Sequence, residues 1–174
     1  MSSQGGASAP SRPRSRGGGA ERAHRILLVR HAEAGERKLW RGDDRARPLT
    51  GAGLAQADLL AASFDAYPLS RILTSGYARC VETVAPLAAR RGLAPESAAW
   101  LEEGADPTAA LRALLAAGDV AASTHGDIVS GILVELAGAG VDIGPSPRMQ
   151  KGSTWVMAAE AGRVSAARYL PPPG

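Results

Sequence analysis

Apolar runs and polar breaks alternate along the chain in a strand–helix rhythm. Ile26-Leu27-Leu28-Val29 is a short continuous apolar run, which predicts a buried strand. It runs straight into Arg30 and His31. After a polar loop from Gly35 to Pro48, Leu54, Ala57 and Ala61 fall at helical spacing, and Leu59-Leu60 widen the apolar face. A helix is expected from the Leu49–Leu54 stretch to about Phe64, with Thr50 as its N-cap. Leu69 to Leu73 predicts a second strand, ended by Thr74-Ser75-Gly76. A helix from Tyr77 to about Arg90 follows, broken or kinked near Pro86 and stopped at Gly92. Ala98 to Leu101 is expected as a short edge strand, and Pro107 opens a helix to about Ala117. Val120 to Thr124 is a third strand ending on His125, before a helix over Ile128–Ala137 and a loop from Gly138 to Pro147. Thr154–Ala159 and Arg163–Ala167 read as a terminal hairpin around Ala161-Gly162. This alternation predicts an α/β domain, a three-layer α/β/α sandwich on a mostly parallel sheet.

The length of 174 residues suits one domain plus a tail. Residues 1–22, rich in Arg, Gly, Ser and Pro, are expected to be disordered, because they offer little apolar surface to bury. The folded domain is expected over 23–170, with an extended Pro-rich end at 171–174. Net charge is +3. Arg12, Arg14, Arg16, Arg22 and Arg25 face only Glu21 near the amino terminus, so the basic excess belongs to the tail. No aromatic residues interleave those arginines, which argues against nucleic-acid binding. Cys80 is the only cysteine, so no intramolecular disulfide can form. No apolar run is long enough for a transmembrane helix, and no apolar segment of a secretory signal stands at the start. A cytoplasmic protein without membrane contact is expected.

Three strand-to-helix junctions carry the same kind of cargo: Arg30-His31, Arg79 and His125. Open α/β sheets bind ligands beyond the carboxyl ends of their strands. Helix N-termini favour anions, so Arg79 in a first helical turn opposes the dipole unless an anion offsets it. The arginine fork matches phosphoryl oxygens. Gly17-Gly18-Gly19 is no phosphate loop, since no Gly-Lys-Ser/Thr follows. His24 reads as solvated. Asp43-Asp44 lack histidine partners for a metal. Cys80 lacks the spacing to an arginine of a cysteine phosphatase and reads as a packed residue. Asp127 is expected to cap the helix after His125, and Trp155 to be core or pocket wall.

Arg30-His31-Ala32, Arg47-Pro48-Leu49-Thr50 with Gly53 and Gln56-Ala57, Ser75–Arg79–Thr83, and Ser123-Thr124-His125-Gly126 follow in order over about residues 25–168. This set resembles the histidine phosphatase superfamily, which includes the phosphoglycerate mutases and the SixA-type phosphohistidine phosphatases. Gly42-Asp43-Asp44 and Lys151-Gly152-Ser153-Thr154-Trp155-Val156 are similar to the phosphatase-like domain fused to actinobacterial Nudix hydrolases. A Nudix box is absent here, and Ala32 replaces the family's glycine. The resemblance implies a phosphoglycerate mutase-like fold and a phosphohydrolase needing no metal or cofactor. His31 would be the nucleophile, its other ring nitrogen held by a backbone carbonyl. Arg30, Arg79 and His125 would surround the phosphoryl oxygens, and Arg47 could add a further contact. Glu103, or Glu102 beside it, would be the general acid. The implied substrate is a phosphomonoester, a nucleotide or a phosphohistidine protein. The alternative is a catalytically silent phosphate-binding module of the same fold, against which the presence of both His31 and His125 argues.

Overall fold

The computed structural model describes residues 22–174; nearly all of the expected tail lies outside them. Six strands form one sheet: β1 (His24–Arg30), β2 (Arg71–Thr74), β3 (Pro95–Ser97), β4 (Val120–Thr124), β5 (Thr154–Glu160) and β6 (Arg163–Leu170). Their spatial order is β3-β2-β4-β1-β5-β6. β3, β2, β4 and β1 run parallel, and β5 and β6 close one edge antiparallel. Among the described residues the α-helices are α1 (Gly51–Ser63), α2 (Ala78–Arg91), α3 (Pro107–Ala116) and α4 (Gly126–Gly138).

Strand β1 explains the layers. Its side chains alternate between faces, yet both faces are covered, so it reads as an unbroken apolar run. Leu27 and Val29 pack with Leu60 and Phe64 from the α1 side and Val84 and Leu87 of α2. Ile26 and Leu28 pack with Leu114 of α3 and Ile128 and Ile132 of α4. Each such side chain, taken fully out of water, contributes about 1.5–3 kcal/mol. Trp155 belongs to this second layer of core.

The elements begin and end for local reasons. The Gly53 amide donates to the Thr50 hydroxyl at 3.1 Å, so Thr50 caps α1. Gly92 ends α2 in the left-handed region, at φ 63°. Ala161 and Gly162, at φ 50° and 71°, make the tight turn of the β5–β6 hairpin. One expectation narrows and one needs correction. Of the break or kink expected near Pro86, the break does not occur: α2 is one helix from Ala78 to Arg91. Val84, Leu87 and Ala88 around it are buried, and their packing outweighs one missing hydrogen bond, worth about 3 kcal/mol with the ring clash. The edge strand is Pro95–Ser97, not Ala98–Leu101. Ala99–Leu101 forms a 3-10 turn that buries Leu101 completely. Pro95 is tolerated because an edge strand leaves one side of its backbone unpaired.

Gly53 fixes how close α1 comes to the loop after β1. A Cβ there would stand 1.9 Å from the Glu33 carbonyl oxygen, a backbone atom that cannot swing aside. Gly53→Ala is therefore expected to lower stability by about 1–3 kcal/mol, read from the urea midpoint. An unshifted midpoint would show that this approach is not tight.

Candidate active site

Sheet register builds the site. Arg30 of β1 stands opposite Thr124 of the adjacent β4. The residues that follow, His31 and His125, therefore leave the sheet side by side, with ring centroids 5.6 Å apart. Thr74 of β2 stands opposite Ser123 of β4, which delivers Ser75 to the far side of His125.

His31 Nδ1 lies 2.8 Å from the Ala32 carbonyl oxygen. A carbonyl only accepts, so Nδ1 carries the proton and Nε2 keeps its lone pair. Burial, joined by the nearby charges of Arg79, His125 and Arg30, pushes the His31 pKa down to about 3 against the pull of that hydrogen bond. The ring is neutral at pH 7. The Ala32 amide donates to Thr83 Oγ1 at 2.9 Å, and its methyl packs with Ala34, Leu49 and Ala57. Ala32 is not among the residues with positive φ, so the extra methyl brings no backbone strain.

His125 is held in the complementary way. Its Nδ1 is 3.3 Å from Arg79 Nη2, and its Nε2 is 2.8 Å from Ser75 Oγ. A guanidinium only donates, so Nδ1 accepts and Nε2–H donates to Ser75. Burial first, then Arg79, lowers the His125 pKa to about 4. Cys80 packs beneath the ring, Sγ 3.5 Å from Nε2, and burial raises its thiol to about 12. It is a packed thiol, as expected.

Arg79, in the first turn of α2, is 1% exposed although it is a cation. Its Nη1 donates to the Asp44 carbonyl at 2.9 Å. Its Nη2 lies 3.1 Å from Asp44 Oδ2 and 3.2 Å from Glu103 Oε2. Its guanidinium carbon stands 4.6 Å from the Tyr77 ring centroid. Asp44 also pairs with Arg47 at 2.8 Å and Arg37 at 3.0 Å. Burial pushes the Asp44 carboxyl up, but the three arginines together hold it at about 2.

Arg30 Nη1 donates to the Met149 carbonyl at 2.6 Å, and its guanidinium lies against the start of α4. A Cβ on Gly126 would come within 3.0 Å of Arg30 Cζ, so the glycine leaves room for the cation. Burial lowers the Arg30 pKa, with Asp127 opposing.

The two adjacent glutamates part company. Glu103 lines the cavity and pairs with Arg37 at 2.6 Å as well as with Arg79. Glu102 turns to Arg45, which it grips through both oxygens at 2.7 and 2.8 Å, and it does not line the cavity. Arg47 lines the cavity, yet its guanidinium is committed to Asp44 and the Gly35 carbonyl. Asp127 does not cap α4. Its Oδ2 accepts from the Gly104 amide at 2.7 Å and ties the loop after Glu103 to that helix. Asp43 accepts from the Arg45 amide at 2.9 Å. Among the described residues, no three His, Cys, Asp or Glu side chains converge as metal ligands.

The cavity holds about 390 Å³ and brings together Arg30, His31, Arg79, Glu103 and His125. Sequence reasoning gave no role to two further cations in its wall, Arg37 and Lys151. Lys151 had a signal in the Lys151-Gly152-Ser153 segment. The Gly152 amide lies 3.1 Å from the Arg30 carbonyl and 3.0 Å from that of His31, which brings its neighbour to the site. Arg37 had none beyond being one of several loop arginines. Guanidiniums, two imidazoles and a helix N-terminus thus share one wall, and each is a group that pairs with anions.

Residues 26–105 match the model of the histidine phosphatase superfamily (branch 1). An 8-oxo-(d)GTP phosphatase of Mycolicibacterium smegmatis is 35% identical over 156 residues, 85% of this chain. The chain spans about half, 48%, of that relative's length. The fold is similar to that of the protein histidine phosphatase SixA complexed with tungstate, with a TM-score of 0.66 at 21% identity over 84% of this chain and 94% of that one. A mycobacterial glucosyl-3-phosphoglycerate phosphatase aligns with a TM-score of 0.59 at 15% identity, over 85% of this chain and 97% of that one. The family match thus places residues 26–105 in the histidine phosphatase superfamily (branch 1), and that stretch carries Arg30, His31, Arg79 and Glu103 of the cavity.

Proposed function

We propose that the protein is a phosphohydrolase working through a phosphohistidine on His31. The observation that carries this reading is the hydrogen bond from His31 Nδ1 to the Ala32 carbonyl, which leaves Nε2 as a neutral nucleophile in the cavity. Nε2 attacks phosphorus, the bond to the leaving oxygen breaks, and that oxygen takes a proton. Glu103, in the same cavity, is the side chain that supplies it: the arriving phosphoryl group displaces its carboxylate from Arg79, which frees it to take a proton from water and pass it on; Glu102 is held outside by Arg45. Arg30, Arg79 and His125 stabilise the charge on the transferring group. Arg47 contributes indirectly, by holding Asp44. Water then attacks the phosphohistidine and gives a proton back to Glu103 as the P–N bond breaks, yielding phosphate and the free imidazole. A carboxyl group in the cavity is most useful for a leaving group that needs a proton, which favours phosphate esters and nucleotides over phosphohistidine proteins.

Turnover of a chromogenic phosphate ester, followed by rapid quenching, tests the proposal. The protein should carry phosphate that is stable in alkali and labile in acid. Phosphate stable in acid would place the intermediate on another residue.

The depressed pKa values of His31 and His125, about 3 and about 4, also make a stability prediction. Below the ordinary histidine value of 6.5, the unfolded chain binds protons that the folded one refuses. Stability should therefore fall as pH drops from 6.5 towards 4, by up to about 1.4 kcal/mol per pH unit for each ring. Asp44, at about 2, loses its contribution only below its ordinary 3.8, so it stays outside this window. Urea titrations at pH 7 and pH 5 should differ, and a His31→Asn/His125→Asn variant should lose most of the difference. An equal pH slope in the variant would refute the assignment.

A further inference from the structure

A second cavity, of about 310 Å³, adjoins the first and shares Gly35, Glu36 and Arg47 with it. Leu39, Trp40, Pro48 and Leu49 supply most of its remaining wall. Leu39 is 77% exposed and Trp40 38%, an unusual outlay of apolar surface beside a strongly charged pocket. The indole is fastened in place: Nε1 donates to the Asp43 carbonyl at 3.0 Å. Gly42, at φ +146°, turns the chain directly against it, where a Cβ would sit 3.7 Å from Nε1. The loop that carries the cations Arg37 and Arg47 thus also holds an aromatic ring at their side.

The chemistry of this wall selects among the organic parts a phosphorylated molecule could carry. A sugar ring would turn hydroxyls onto Leu39, Pro48 and Leu49 and leave them without partners. A flat heteroaromatic ring instead stacks on indole and aliphatic surface and needs partners only along its edge. Glu36, common to both cavities, offers a carboxylate acceptor for an edge N–H. Resting on the phosphohydrolase reading above, we propose that the Leu39–Trp40 shelf is a nucleobase subsite and that the substrate is a nucleotide whose phosphoryl group reaches His31.

The test compares kcat/KM for a nucleoside monophosphate and for glycerol phosphate, using the full chain and its Trp40→Ala and Trp40→Phe variants. The wild type should prefer the nucleotide at least about tenfold, the worth of one stacked base. Trp40→Ala should cut that preference by about the same factor, mainly through KM, and Trp40→Phe should retain it. An unaltered preference in Trp40→Ala overturns the subsite. A binding measurement separates this proposal from the one it rests on. In His31→Ala protein, a nucleoside monophosphate should quench indole fluorescence saturably where inorganic phosphate does not, and Trp40→Phe should remove the quench. If the wild type hydrolyses neither substrate while the quench persists, the phosphohydrolase reading fails and the subsite stands. If no quench appears, the subsite is refuted whatever the protein hydrolyses.

Discussion

His31→Ala should reduce turnover of a phosphate ester by a factor on the order of 10⁴ or more, the scale on which removing a nucleophile acts in other covalent enzymes. Nothing else in the cavity can replace it. The one thiol, Cys80, is buried and held protonated by that burial. His125 has its nitrogens engaged with Ser75 and Arg79. No phosphate should be trapped on the variant. Its folding should survive, because the His31 ring makes one hydrogen bond, to the carbonyl of the next residue. The substitution also removes a group that resists protonation, so the variant should hold its stability better than wild type at pH 5. Steady-state kinetics beside a thermal melt decide the matter. Equal rates in variant and wild type would remove His31 from the chemistry, and a variant that melts far lower would make its loss of rate uninformative.

Arg79→Ala should strike both rate and stability. The loss in kcat/KM is expected at about 10²–10³-fold, the usual cost of one donor aimed at developing charge. The loss in stability follows from the buried ion pairs. Arg79 is almost wholly buried between Asp44 and Glu103, whose side chains are 28% and 35% exposed. Removing one partner of a buried pair typically costs about 3–5 kcal/mol. Here the lower end, about 3 kcal/mol, applies, since both carboxylates touch water and keep Arg37 as a partner. Arg79→Lys should recover part of the stability, because it restores a cation, but little of the rate. An ammonium cannot meet the Asp44 carbonyl, two carboxylates and a phosphoryl group with one planar fork. Urea titration and kinetics on the two variants separate these effects. If lysine restored full rate, charge alone would be the requirement.

Much of this was legible in the chain, because periodicity and turn chemistry are local. The buried strand before Arg30, the Thr50 cap, the Gly92 stop and the Ala161-Gly162 turn all declare themselves within a few residues. The pairing of His31 with His125 is different. It depends on β4 lying next to β1, although β2 and β3 come between them in sequence, and spacing alone cannot supply that adjacency. The resemblance of the motifs pointed to it, and the register accounts for it. The resemblance ranked Glu103 before Glu102, but which carboxylate lines the cavity is decided by the turn that holds them, not by the pattern of the chain. The edge strand at Pro95–Ser97 was missed because all three residues are exposed and offer no apolar pattern. The run Ala98-Ala99-Trp100-Leu101 carried the apolar signal, but that surface serves to dock a turn. Arg37 and Lys151 were passed over because a charged loop residue looks the same whether it faces solvent or a cavity.

The carboxylates already seated on Arg79 bear on how long anything stays in the pocket. On the proposed phosphohydrolase reading, an arriving phosphoryl group does not meet a bare cation; it trades places with Asp44 or Glu103, so its affinity is only the difference between two similar contacts. Inorganic phosphate held by such a narrow margin departs easily, and the carboxylates close in behind it. A receptor with its own counterions is thereby built for repeated emptying more than for storage.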